Sequence, residues 1–138
     1  MGRAILGVLA GLVTMFLVIM CVEYAGHMVY PPPPGLNPMV TEDLSAIMAV
    51  QPVAAKAFVV MAWVVGAFSG GWVAAKISRT YPRAAAVIVA LMVVAGVVGM
   101  ILQLPDHPRW MAALGLLLPV PAALLGARWA GPRVAARP

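Results

Sequence analysis

The chain has 138 residues, of which 64% are hydrophobic and only 9% charged, with a net charge of +5. A soluble domain carries roughly 25% charged residues to wet its surface, so this composition excludes a water-soluble globule, a disordered tail and a nucleic-acid-binding module. The basic residues stand at the ends of apolar runs, where they orient a chain in lipid rather than grip phosphates. The expected class is an all-α membrane protein. More closely, it is a four-transmembrane-helix bundle making a single transmembrane domain over residues 1–138, with the lipid bilayer as first partner and no nucleic acid.

A hydrocarbon layer about 30 Å thick takes about 20 apolar residues to cross as a helix. The first such stretch runs over 4–30 and stops at Pro31-Pro32-Pro33-Pro34, which supplies no backbone donors. It is too long for the apolar region of a cleaved secretory signal, and three more hydrophobic segments follow, so it reads as a retained span. The loop over 31–51 begins as a stiff polyproline stretch, turns at Gly35, and becomes helical from Thr41. Thr41 suits an N-cap, and Glu42 and Asp43 suit the positive end of a helix dipole. Leu44, Ile47 and Met48 fall on one face, so this short interfacial helix is expected to lie flat on the membrane surface, the alternative being a lid over the bundle mouth.

The second span covers 52–77, the third 82–104 and the fourth 108–130. Pro82 and Pro108 open helices, Pro105 follows one, and Gly131-Pro132 ends the last. Pro119 and Pro121 lie mid-span and remove the bonds that would reach the carbonyls of Gly115 and Leu117. That predicts a kink or, alternatively, carbonyls exposed to a cavity or cation. The first and third spans each end with a histidine near proline, and the second and fourth return with Gly, Ala and a basic end, an echo of two-helix repeats.

The charges divide sharply. Arg3, Lys76, Arg79, Arg83, Arg128, Arg133 and Arg137 fall on one side, whereas Glu23, Glu42, Asp43 and Asp106 fall on the other with only Lys56 and Arg109. By the positive-inside rule both termini are cytoplasmic (N-in/C-in) and the long loop is outside. Trp63, Trp110, Trp129, Tyr24, Tyr30 and Tyr81 lie near span ends and read as interfacial anchors. Gly7 with Gly11, and Gly66 with Gly70, form two G-x-x-x-G pairs suited to helix packing within the bundle or between protomers. The chain is therefore expected to be a homo-oligomer or to sit beside a partner membrane protein. Cys21 is alone, so neither an internal disulfide nor C-x-x-C chemistry is available.

Ionisable groups inside spans are expensive and mark function by default. Glu23 and His27 are four apart and share a helix face with Tyr30, while Asp106 and His107 sit in the short outer loop at the same level. Three chemistries fit Glu23, His27, Tyr30, His107 and Asp106. Glu23, His27 and His107 can hold a divalent metal such as zinc. A carboxylate–imidazole pair can relay protons, since histidine titrates near neutrality. The set can also be a polar clasp, with Glu23 bonded to His27 or paired with Lys56 or Arg109.

Glu23-Tyr24-Ala25-Gly26-His27, Tyr30-Pro31 and Pro34-Gly35 resemble a pattern in uncharacterised small bacterial four-span inner-membrane proteins. Trp63-Val64-Val65-Gly66-Ala67-Phe68-Ser69-Gly70-Gly71 and His107-Pro108-Arg109-Trp110 are similar to further blocks of that group. The resemblance implies the four-span fold and a bacterial inner-membrane location, and brings no activity with it. Three functions remain: an ion or small-solute handling protein with an outer-face Glu/His site, a non-catalytic accessory subunit, or a metal-binding membrane protein or enzyme. No catalytic residues are assigned, because no Ser–His–Asp spacing, H-E-x-x-H or phosphate-binding glycine loop occurs.

Overall fold

A computed structural model describes residues 2–131; Pro132, Arg133 and Arg137, used above for a helix stop and for the charge partition, lie outside the described residues. Its elements are α1 (Gly2–Val29), α2 (Thr41–Val50), α3 (Val53–Ile77), α4 (Pro82–Gln103), α5 (Arg109–Leu117) and α6 (Pro119–Trp129). No strand occurs among the described residues. Four helical stretches are long and apolar enough to cross a membrane: α1, α3, α4, and α5 with α6 taken together. Helices satisfy their backbone polar groups internally, as a chain in hydrocarbon must. This is an all-helical, multi-pass membrane architecture.

α3 is the hub and packs on α1, α4, α5 and α6, while α1 and α6 also touch α4. The most apolar window of α3 is 44% buried against 17% for α1, which sets α1 at the periphery. The core joins Met15 of α1, Val60, Trp63 and Ala67 of α3, Val89, Val93 and Val97 of α4, and Met111 and Ala123 from the last span.

The arrangement of α1 inverts the habit of a soluble helix. Its buried residues in the first half are Gly7, Gly11 and Met15, whereas Leu9, Val13, Phe16, Leu17 and Met20 are exposed. Lipid tolerates large apolar side chains outside, so small residues are placed where backbones must approach. A Cβ at Gly11 would lie 2.7 Å from both the Gly70 carbonyl oxygen and Ala74 Cβ, and one at Gly70 would lie 2.7 Å from the Gly11 carbonyl oxygen. A Cβ at Gly66 would lie 2.5 Å from Ile19, and one at Gly7 would meet the Ala74 carbonyl oxygen at 2.8 Å. A second close seam joins α3 to α6, where Gly71 meets Ala123 and Gly126 meets the Phe68 carbonyl.

Two local expectations are corrected. Trp63 is not an interfacial anchor: it is 6% exposed and belongs to the core. The reason is Gly115, whose missing side chain leaves the space that the indole occupies, since a Cβ there would lie 2.6 Å from Trp63 Cζ3. Thr41 is not the N-cap of α2; Val40 is, and no side chain caps it. The helix start is braced instead by Asp43, whose Oδ2 accepts a 2.9 Å hydrogen bond from the Asn37 N–H, while Asn37 Oδ1 accepts one of 2.9 Å from Met39. Gly35 takes φ +84°, a left-handed turn that other residues adopt only under strain.

The last span divides at Leu118, which keeps right-handed helical angles between α5 and α6. Helical bonds continue across the division, from Leu118 N–H to Leu114 and from Ala122 N–H to Leu118. The Cα of Gly115, whose carbonyl loses its partner to Pro119, is packed against Trp63 and Val97. Neither Gly115 nor Leu117 lines the cavities described below.

Candidate functional site

Pro105 and Pro108 bracket a turn too short to be anything but tight. The His107 N–H donates a 3.0 Å hydrogen bond to the Leu104 carbonyl and closes it. That closure turns the His107 side chain inward, where it is 8% exposed. Its Nδ1 lies 3.2 Å from the Pro108 carbonyl oxygen. A carbonyl oxygen can only accept, so this contact is a hydrogen bond in the tautomer that carries its proton on Nδ1. Nε2 then holds the lone pair, and it is buried with no hydrogen-bond partner among the described residues.

His107 faces a cavity of about 320 Å³. Three elements build it. α2 contributes Ser45, Met48 and Ala49, the first turn of α3 contributes Lys56, and the turn contributes Leu104, Asp106 and Pro108. The cavity thus holds an imidazole, an ammonium, a carboxylate and a hydroxyl within an apolar frame. Such convergence of a few polar groups in a concave site is the usual form of a small-ligand site.

α2 lies beside this cavity. Leu44, Ile47 and Met48, expected to rest on lipid, are the half-buried or buried residues of that face. Ile47 is 4% exposed, and Met48 packs against the hydrophobic core. The apolar face is therefore the side of α2 that meets the protein, through Ile47 and Met48. The tether is short, since Gln51 and Pro52 alone separate α2 from α3, and Ser45, Met48, Ala49 and Lys56 share one cavity.

The sequence-derived constellation is divided in two. Asp106 and His107 line the cavity; Glu23, His27 and Tyr30 do not. Gly26 seats α1 on Phe58, where a Cβ would lie 3.1 Å from Phe58 Cβ. Helix geometry turns each residue by about 100°, so His27 points well away from that contact and is exposed, while Glu23 is half-buried on the flank. Tyr30, about one turn beyond Gly26, meets Phe58 edge-on at 6.0 Å between ring centroids.

Among the described residues, no group of three or more His, Cys, Asp and Glu side chains is placed to hold a metal ion. The trio Glu23, His27 and His107 is not assembled. The side-chain hydrogen bonds formed among the described residues include neither Glu23 nor His27.

Sequence reasoning missed Lys56 and Ser45 as site residues. The signal for Lys56 was present, since it is one of two cations on the side that carries every acid. Ser45 gave none, being one small polar residue in a loop helix. No protein-family model matches this chain, and neither the curated proteins nor the solved structures contain a match to it.

Proposed function

We propose that this chain is a small bacterial inner-membrane protein that handles an ion or small polar solute at the cavity beneath α2. The observation that carries the reading is the cavity that brings His107 together with Lys56, Asp106 and Ser45, the Nε2 of that histidine being buried with no hydrogen-bond partner among the described residues. A buried polar atom left without a partner costs about 1–3 kcal/mol. A water, an ion or a functional group is among the partners that complete such an atom. Lys56 and Asp106 supply one charge of each sign, so either a cation or an anion finds an opposite charge beside the imidazole.

The orientation follows from the charges. Arg3, Lys76, Arg79, Arg83 and Arg128 stand at the start of α1, the end of α3, the start of α4 and the end of α6, which supports cytoplasmic termini and an α2 cavity open to the outside. The resemblance to small bacterial four-span proteins supports the same membrane. Glu23 bears on assembly. It is a half-buried acid on the flank of a peripheral helix, and an ionisable group facing hydrocarbon is expensive. A second copy or a partner membrane protein covering that flank removes the cost.

The test uses purified protein in liposomes. Zinc binding is read by calorimetry and proton movement by an entrapped pH dye, for wild type and for His107→Ala, Lys56→Ala and His27→Ala. A signal in either assay that disappears in His107→Ala and survives in His27→Ala supports the cavity. If folded His107→Ala matches wild type in every assay, the cavity is not the site and the accessory-subunit reading replaces it.

A further inference from the structure

A second cavity, of about 380 Å³, lies at the opposite end of the bundle and differs in kind. Ala4, Ile5 and Val8 of α1 form one wall, Ala84 and Ile88 of α4 the other, and Ser78 closes the α3 side. It is wholly apolar at its surface and opens laterally between α1 and α4. Basic residues surround it. Arg3 directly precedes Ala4, Arg79 directly follows Ser78, Arg83 directly precedes Ala84, and all three arginines are exposed. The four acids of the chain are all at the other end. Ser78 is fully buried, and its hydroxyl has no hydrogen-bond partner among the described residues.

We infer that this groove is a binding site for one anionic phospholipid, its acyl chain in the slot between α1 and α4 and its phosphate among Arg3, Arg79 and Arg83. The chemistry of each part selects the occupant. An apolar slot opening sideways at the end of membrane spans is filled from the bilayer by a hydrocarbon chain, which no hydrophilic solute replaces. Three guanidinium groups with no carboxylate at that end favour a phosphate that carries net charge, and arginine engages phosphate through paired hydrogen bonds. Basic pockets between membrane helices at the basic face are a known form of anionic headgroup site.

Native mass spectrometry of delipidated protein in mild detergent tests this, with phosphatidylglycerol and phosphatidylcholine of identical acyl chains as probes. Wild type is expected to retain one phosphatidylglycerol with a preference of about tenfold or more, because each nearby cation favours an anionic headgroup. Arg79→Gln with Arg83→Gln is expected to bring the two lipids to near-equal retention. Ala84→Trp, which fills the slot, is expected to lower retention of both. Equal retention of the two lipids by wild type, or adducts unchanged in both variants, overturns the site and leaves ordinary boundary lipid. Displacement of phosphatidylglycerol by excess inorganic phosphate alone overturns it in favour of a free-anion site. Should Ala84→Trp fail to fold, the exposed arginine variant still decides.

Discussion

The α1–α3 seam permits a stability experiment in which the sign of the effect depends on geometry alone. Adding one methyl at Gly11 places a carbon 2.7 Å from the Gly70 carbonyl oxygen, against the 3.4 Å at which ordinary contact begins. The helices must part by the difference of about 0.7 Å, because the obstacle is backbone and cannot rotate away. A gap of that order forfeits a quarter to a half of each dispersion contact along the seam, and overpacking of this kind costs about 1–3 kcal/mol. Better helix propensity of alanine returns about 0.5–1 kcal/mol, so Gly11→Ala should be net destabilising by up to about 2.5 kcal/mol. Gly96 is the control. It sits in α4 with nothing within 4 Å of its Cβ position, so Gly96→Ala gains the propensity and loses no contact. Unfolding in mixed detergent micelles, followed by tryptophan fluorescence, should move the midpoint down for Gly11→Ala and leave it level or raised for Gly96→Ala. Equal shifts of the same sign in the two variants would refute the reasoning, because the seam would then not be set by backbone approach.

Three further outcomes are expected. Trp63→Ala empties the largest side chain of the core and should cost about 3–5 kcal/mol, read as loss of the folded fraction in the same assay; a loss below about 1 kcal/mol would mean that the indole does not fill the space at Gly115. Ile47→Ala removes the anchor that holds α2 against the protein, and hydrogen exchange of amides in Thr41–Val50 should quicken while those of α3 stay protected; unchanged exchange would mean that Ile47 does not anchor α2. In a Cys21→Ser background, Ser45→Cys should react with an impermeant maleimide in intact cells and Thr80→Cys only after permeabilisation. The reverse pattern inverts the orientation.

The span lengths and their ends were legible because each depends on local composition. Hydrocarbon thickness sets the length of an apolar run, and proline at Pro82, or the block from Pro31, interrupts backbone bonding whatever lies nearby. All four long helices begin and end within about two residues of the apolar stretches, which is the usual uncertainty of helix ends. Facing was harder. Trp63 and Trp129 both sit in apolar runs with glycine nearby, yet one is in the core and the other is exposed, and the difference is Gly115, fifty-two positions along the chain from Trp63. The site was half legible for the same reason. His107 announced itself as a histidine between prolines, but its separation from Glu23 and His27 depends on how Gly26 seats α1 on Phe58. Nothing local to any one of those residues records that rotation.

The two cavities lie at opposite ends of the bundle, and what fills the space between them bears on the mode of action. Val60, Trp63, Ala67, Val89, Val93, Val97 and Met111 form one packed cluster across the middle. None of these offers an ionisable group, and an ion entering such a region gives up hydration at a cost on the order of tens of kcal/mol by Born solvation. In this conformation, then, a charged ligand of the proposed site would reach His107 and Lys56 from the α2 end and leave by the same route. Passage across the membrane would require a second conformation in which the core parts, and the seams resist that at Gly11 with Gly70 and at Gly71 with Ala123, where backbones already touch. The last span divides at Leu118, where Pro119 and Pro121 have no N–H to donate, between α5, which begins beside the His107 turn, and α6, which is held by Gly126 on Phe68. Proton or ion flux in liposomes that is abolished by His107→Ala would therefore imply movement of α5 relative to α6, whereas binding without flux needs no movement beyond α2.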